Sequence, residues 1–366
     1  MRSAVHLDHN ADTPPFAAVV AAMAEALAEG GNPSSVHALG RRARRRVEDA
    51  RARVAGLVNG AEVVFTSGGT EANALALTGC GRARILVSAI EHPSVLAVSP
   101  DAVPVPALPS GVVDLDALAH LLDADGRPAL VSLMLANNET GAIQPVAEAA
   151  ALAHAKGALL HCDAVQAAGK IAVDMRCLNI DLLSLSAHKL GGPQGIGALV
   201  LADERLAPTP MLRGGGQERG LRAGSENVAA IEGFGVAAGL AADGLADFAR
   251  LAALRDGLER RARGAVAMAT QAPRLPNTSC LALPGLSGEV MVMAMDLAGV
   301  AVSAGAACSS GKVRASHVLA AMGAGHLAGS AIRVSLGRDS GEADVERFLQ
   351  VWAGLAAQAL PAASAA

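Results

Sequence analysis

The 366-residue chain has no tyrosine, and aromatic residues make up only 2% of it. Platforms on which nucleic-acid bases could stack are therefore scarce. Positive charge is not in excess either: 30 Lys and Arg stand against 34 Asp and Glu, and a formal net charge of −4 gives no general attraction to a polyanion. The arginine run from Arg41 to Arg46 invites a nucleic-acid reading. Glu48 and Asp49 lie four residues beyond Arg44 and Arg45, however, which is the spacing of ion pairs along a solvated helix face. No nucleic-acid partner is expected. Apolar stretches are interrupted by Glu148, Lys156, Asp243 and Asp247 before they reach membrane-spanning length, and the opening "MRSAVHLDHN" lacks the apolar core of a signal peptide. The five cysteines (Cys80, Cys162, Cys177, Cys280 and Cys308) are odd in number, scattered and free of metal-like spacing, so neither a disulfide framework nor a metal site is expected. The expectation is a cytoplasmic protein with no membrane partner.

Hydrophobic residues reach 52%, enough for a sizeable core. From about residue 15 to 250, helical and strand periods alternate. "AAVVAAMAEALAEG" reads as a helix stopped by Gly30 and Gly31, and "RRARRRVEDARARVAGLVNG" as a second one stopped at Asn59 and Gly60. "EVVFTS", "RILVSAI", "ALVSLML", "ALLHCDAV", "DLLSLSA" and "IGALVLA" are short strands, several apolar on both faces as in a covered parallel sheet. "TEANALALTG" and "VAEAAALAHAKG" are helical. The pattern predicts an α/β layered domain. A long Ala-rich helical stretch from about Glu226 to Arg263 is expected to link it to a smaller part. That part holds "TSCLAL", "GEVMVMAMDLAG", "VSAGAACSSGK", "AIRVSLGR" and a closing helix.

Polar groups recur just where strands end. In "TSGGTEAN" a strand stops, Gly68 and Gly69 turn the chain, and Thr70 opens a helix. Backbone N–H groups at such a helix start bind phosphate; a plain turn with a Thr N-cap is the alternative. The stretch matches neither the dinucleotide nor the nucleoside-triphosphate pattern. Asp163 ends an apolar run, either as a helix N-cap or as the partner of a protonated heterocyclic nitrogen, with Gln166 one helical step further on. "MLANNETGAIQP" places Asn137, Asn138 and Glu139 after another strand, and "AIEHPSV" places His92 before Pro93. Asn-rich turns and lone histidines are commonly structural. Together these groups sit where open α/β sheets bind ligands.

"LLSLSAHKLGGPQGIG" ends its strand on Lys189. A lysine at that edge, partly buried, suits Schiff-base chemistry. An anion site, a strand-end Asp and such a lysine are what pyridoxal phosphate requires. In the second part, Cys308 lies in a run of tiny residues, either as a reactive thiol on a loop or as a small loop hydrophobe. Arg333 could grip a carboxylate with its two-pronged guanidinium or form an ion pair.

The chain resembles the cysteine desulfurases, pyridoxal-phosphate enzymes of the class V aminotransferase group. The likeness runs almost end to end, through "GNPSSVHALGR", "FTSGGTEAN", "EHPSV", "NNETGAIQP", "CDAVQAAGK", "DLLSLSAHKLGGPQGIGALV", "RGGGQERGLRAGSEN", "VSAGAACSSG" and "AIRVSLGR". The resemblance implies the type I pyridoxal-phosphate transferase fold. A large cofactor-binding domain over 12–246 would carry a mostly parallel seven-stranded sheet between helices. A smaller α+β domain over 1–11 and 247–366 would carry the cysteine loop. It also implies roles. Lys189 would form the imine with the cofactor and shuttle the Cα proton, Asp163 would pair with the ring nitrogen, and His92 would stack on the ring. Gly69, Thr70, Ser186 and His188 would hold the phosphate, joined by Ser225 from the partner of a homodimer. Asn138 and Gln166 would contact the ring hydroxyl and the substrate region, and Arg333 would hold the carboxylate of L-cysteine. Cys308 would attack the substrate sulfur and pass a persulfide to a sulfur acceptor or cluster scaffold protein, for iron–sulfur cluster assembly or thiolation. The loop around Cys308 resembles the long-loop subgroup. A selenocysteine lyase or another class V activity is the alternative.

Two positions depart from the family pattern: His9 stands where tyrosine is usual and Asp12 where threonine is usual. The stretch from His92 to Val112 is short and the C-terminus ends early, which bears on partner docking.

Overall fold

Short apolar runs, buried on both faces, assemble into a single large sheet. The structure, a computed structural model, describes residues 5–98, 101–305 and 315–359. After a short β1 (Val5–His6), the sheet takes β2 (Glu62–Thr66), β3 (Arg84–Ser88), β4 (Val103–Val105), β5 (Ala129–Ser132), β6 (Leu159–Asp163), β7 (Leu182–Ser186) and β8 (Gly197–Leu201). Their order is β2-β8-β7-β6-β5-β3-β4. β8 runs antiparallel to both its neighbours, and every other pairing is parallel. The expected seven-stranded, mostly parallel sheet is present.

Side chains alternate between the two faces, so each face needs its own cover. Val63, Phe65, Leu183, Leu185 and Val200 join the core shared with α1 (Ala17–Glu29), α2 (Ala38–Val58) and the helix Val228–Asp243. Val64, Leu182, Leu199 and Leu201 join the core under α3 (Gly69–Gly79). Each large side chain fully buried in this way contributes about 1.5–3 kcal/mol. α2 stops at Asn59, which takes a left-handed conformation, as its sequence predicts.

A second core lies apart from the sheet. β10 (Thr278–Ala282) pairs with β13 (Ala331–Ser335), flanked by β9 (Val266–Ala267) and β12 (Ser303–Ala304), while β11 (Val300–Ala301) pairs with β1. Leu7, Leu281, Ile332, Phe348 and Trp352 fill this core, the last two rings stacked 5.6 Å apart. We propose a division into two domains at the junction of the two cores, near Gly244.

One local expectation is refined and one corrected. The helical stretch from Glu226 to Arg263 is present, and it breaks at Gly244 into Val228–Asp243, Leu245–Ala249 and Leu251–Arg261, with a bend of 62°. The break lets the first helix stay in the sheet core while Leu251 and Leu258 enter the second. The arginine run also differs. Arg42 and Arg46 pair with Glu29 of α1, and Arg46 also approaches Glu232, so the run joins helices rather than forming i,i+4 pairs with Glu48 and Asp49. Among the described residues no single helix is long and apolar enough to cross a membrane.

Candidate active site

β3, β5, β6 and β7 are parallel, so their carboxyl ends share one edge of the sheet. His92, Asn138, Asp163, Ser186, His188 and Lys189 all lie at or just beyond those ends. Asp163 is only 5% exposed. Its Oδ1 accepts from the Val165 N–H (3.0 Å) and its Oδ2 from Asn73 Nδ2 (2.8 Å). An ionised carboxylate offers about four acceptor positions, so one more N–H donor fits.

Asn73 is a residue that reading the sequence missed. It lies on α3, four residues after Gly69, on the helix face that follows the turn. Its Nδ2 also donates to Ser94 Oγ (2.9 Å), which in turn lies 2.7 Å from His92 Nδ1. His92 caps the short helix Pro93–Leu96, accepting the Ser94 N–H at Nδ1 (3.1 Å). Nδ1 is therefore an acceptor, and the neutral ring carries its proton on Nε2. Burial pushes the His92 imidazole below its ordinary value; the Asp163 charge opposes this, and Lys189 and His317 add to it. Glu91, fully buried beside them, accepts the Met134 N–H (2.6 Å). Burial and then Asp163 push its carboxyl well above the usual range.

The N-terminal segment closes the site from the other side. Lys189 Nζ donates to the carbonyls of Asn10 (2.8 Å) and Ala11 (2.6 Å). The Asp12 carboxylate meets His188 Nδ1 at 2.9 Å. Both departures from the family pattern thus lie in the segment that packs on the lysine turn. His9 is half-buried, its ring 4.4 Å from that of His6; burial and then His6 lower its pKa to about 4.

Below Lys189 lies a polar network that the sequence did not announce. Lys170, 2% exposed, donates to Asn10 Oδ1 and Gln166 Oε1, both at 2.7 Å. Gln166 Nε2 donates to the Asn10 carbonyl (2.9 Å). Burial, followed by Lys189 and Arg333, pushes the Lys170 amine well below its ordinary value. Arg333, on β13, reaches into the same network. Nη1 donates to the Asn138 carbonyl (3.0 Å) and Nη2 to Asp8 Oδ1 (2.7 Å). Its Nε is buried with no partner among the described residues, a spare donor of the kind a carboxylate oxygen accepts from. Asn137 builds its own turn, accepting the N–H groups of Glu139 and Thr140, while Asn138 is half-buried at the site.

The turn at the start of α3 completes the cluster. A Cβ added to Gly68 would meet no atom within 4 Å, so the turn faces open space. A Cβ on Gly69 would lie 3.5 Å from Ser186 Cβ, which brings the β7 end against the helix start. Gly197 must be glycine: a Cβ there would sit 2.5 Å from the Gly68 carbonyl carbon. Thr70 and Ser225 are exposed. Glu71 ties the turn down, accepting the Ser67 N–H (2.7 Å) and pairing with Arg222 (2.9 Å). Cys308 lies outside the described residues. The donor set fits pyridoxal phosphate: open backbone N–H groups with nearby hydroxyls for the phosphate, a held carboxylate for the ring nitrogen, and a lysine amine.

The profile described as Aminotransferase class-V matches residues 5–348 of this chain. A cysteine desulfurase from Gluconacetobacter diazotrophicus is 44% identical, the match covering 97% of this chain and 94% of the relative. The X-ray structure of a NifS-like protein from Rickettsia africae superposes with a TM-score of 0.90 at 33% identity, over 96% of this chain and 99% of that one. SspA, solved in complex with cysteine, superposes with a TM-score of 0.78 at 28% identity, over 90% of this chain and 98% of that one.

Proposed function

The chain belongs to the aminotransferase class-V family, and on that premise we infer that it is a pyridoxal-phosphate-dependent cysteine desulfurase. It converts L-cysteine to L-alanine and leaves the sulfur as a persulfide on Cys308. The observation that carries this reading is the pairing of a held carboxylate, Asp163, with a lysine amine, Lys189, at the ends of the adjacent strands β6 and β7.

Pyridoxal phosphate, when bound, supplies a protonated ring that draws electron density from the substrate Cα. Asp163 would take the ring N–H, and Asn73 with the Val165 N–H keeps that carboxylate aimed. Gly69, Thr70, Ser186 and His188 would hold the phosphate with the partner subunit's Ser225. His92 would stack on the ring, and Asn138 and Gln166 would border its hydroxyl and the substrate. Arg333 grips the substrate carboxylate, and Lys189 removes and returns the Cα proton. The Cys308 thiolate attacks the substrate sulfur: an S–S bond forms as the substrate Cβ–S bond breaks, and the electron pair left on Cβ takes up a proton to give the methyl group of alanine. With Nδ1 committed to Ser94, His92 presents a proton donor at Nε2, which suits proton return better than thiol deprotonation.

The sulfur passes to an acceptor or cluster scaffold protein, and the working unit is a homodimer. Cys80, Cys162, Cys177 and Cys280 are free thiols, which suits a reducing cytoplasm. Incubation with L-cysteine and a reductant, measuring alanine and sulfide together, tests the reading. Equal yields are expected. Cys308→Ala should retain the cofactor and bind cysteine but release no sulfide; turnover at the wild-type rate would rule the thiol out as nucleophile.

A further inference from the structure

The contact between Asp12 and His188 sets a condition on how this site can take an anion. The Asp12 backbone is pinned: its N–H donates to the Asp8 carbonyl (3.3 Å), and its own carbonyl faces His6 Nε2 (3.1 Å). The next residue, Thr13, donates its N–H to the His188 carbonyl (3.0 Å). The carboxylate is thereby held against the ring, 2.9 Å from Nδ1. A carboxylate can only accept, so Nδ1 carries the proton and the neutral ring leaves Nε2 bare. A phosphate dianion is likewise acceptor-only. A bare Nε2 and a phosphate oxygen repel each other.

We propose that Asp12 makes His188 a proton-coupled anion ligand: with Nδ1–H committed to the carboxylate, Nε2 can donate to a phosphate only once the ring has gained a second proton. The proton comes from solvent, and the imidazolium then lies between two anions. The inference rests on the reading of His188 as a phosphate ligand. The charged groups acting on the ring are Asp12, across from it, and Lys189, next to it in the chain. Burial, then Lys189, hold the ring below its ordinary value despite Asp12, so near pH 8 it is neutral before an anion arrives. A phosphate monoester is fully ionised at that pH, its second pKa being about 6. The proton gained on binding therefore belongs to the protein.

The probe is pyridoxine 5′-phosphate, which lacks the aldehyde and cannot bond covalently to Lys189. The cofactor-free full-length chain is titrated with it by calorimetry at pH 8, in two buffers of different ionisation heat. The wild type should take up about one proton per site more than Asp12→Asn. In that variant the amide can donate to Nδ1, which leaves Nε2–H ready for phosphate without a second proton. Its affinity should consequently lose the decline with rising pH that the wild type shows. His188→Gln should weaken binding and abolish the uptake. Unchanged affinity in His188→Gln would overturn the phosphate-ligand reading itself. Binding that depends on His188 while wild type and Asp12→Asn take up equal numbers of protons would overturn the role of Asp12 alone.

Discussion

Replacing Arg333 with lysine tests the substrate end of the site quantitatively. The guanidinium spends Nη1 on the Asn138 carbonyl and Nη2 on Asp8, and its Nε is buried without a partner among the described residues. A substrate carboxylate that meets Nε and one Nη gains two charge-assisted hydrogen bonds, each worth about 1.5–3 kcal/mol. Lysine keeps a positive charge beside Asp8, so the buried pair is not broken outright, but a single nitrogen cannot reproduce the fork. The loss of one bond, about 2 kcal/mol, corresponds to about a 30-fold fall in kcat/KM. The carboxylate lies away from the bonds that change, so the loss should fall mainly on KM, with kcat nearly constant. Initial rates of alanine formation against L-cysteine concentration measure this. Cysteamine, which has no carboxylate, provides the control: wild type and Arg333→Lys should bind it equally weakly. An unchanged KM for L-cysteine, or a fall in kcat alone, would remove Arg333 from the carboxylate site.

Two further outcomes follow from the buried polar groups. Asn73→Asp places a second carboxylate against Asp163, where two close acids cannot both ionise; cofactor affinity at pH 8 should fall by about tenfold or more, and an unchanged dissociation constant would mean that Asp163 does not meet the ring nitrogen. His161, held between Ser132 and Ser184, is lowered to about 3 by burial, and His9 to about 4 by burial and then His6. Below about pH 6.5 the unfolded chain binds protons that these two native rings refuse, so unfolding takes up protons and stability falls with pH. Between about pH 5.5 and 4.5 each histidine should contribute about 1.4 kcal/mol per pH unit, read from urea midpoints; a His161→Asn variant with the wild-type slope would contradict its share.

The sequence makes the sheet legible because burial on both faces leaves an apolar run that no helix of that length would need. It also points to Asp163 and Lys189, since a charge at the end of such a run loses its hydration and needs a partner, which a binding site supplies. It misreads the arginine run, because helix spacing accounts only for partners on the same helix and Glu29 comes from another. It misses the break at Gly244, because Ala, Gly and Asp there are compatible with a helix and the bend depends on which core each half enters. Asn73, Asn10 and Asp8 also escape notice, since their partners lie from 90 to 325 residues away. The histidines show the limit most clearly. His92 and His188 look alike in the sequence, each just beyond the end of a parallel strand. The fold gives them opposite protons: His92 Nδ1 accepts a backbone N–H, whereas His188 Nδ1 faces a carboxylate. On the neutral rings Nε2 is therefore a donor in His92 and an acceptor in His188. Strand ends determine where chemistry gathers, but the direction of each proton depends on contacts made by distant segments, and in this chain the deciding contact comes from Asp12.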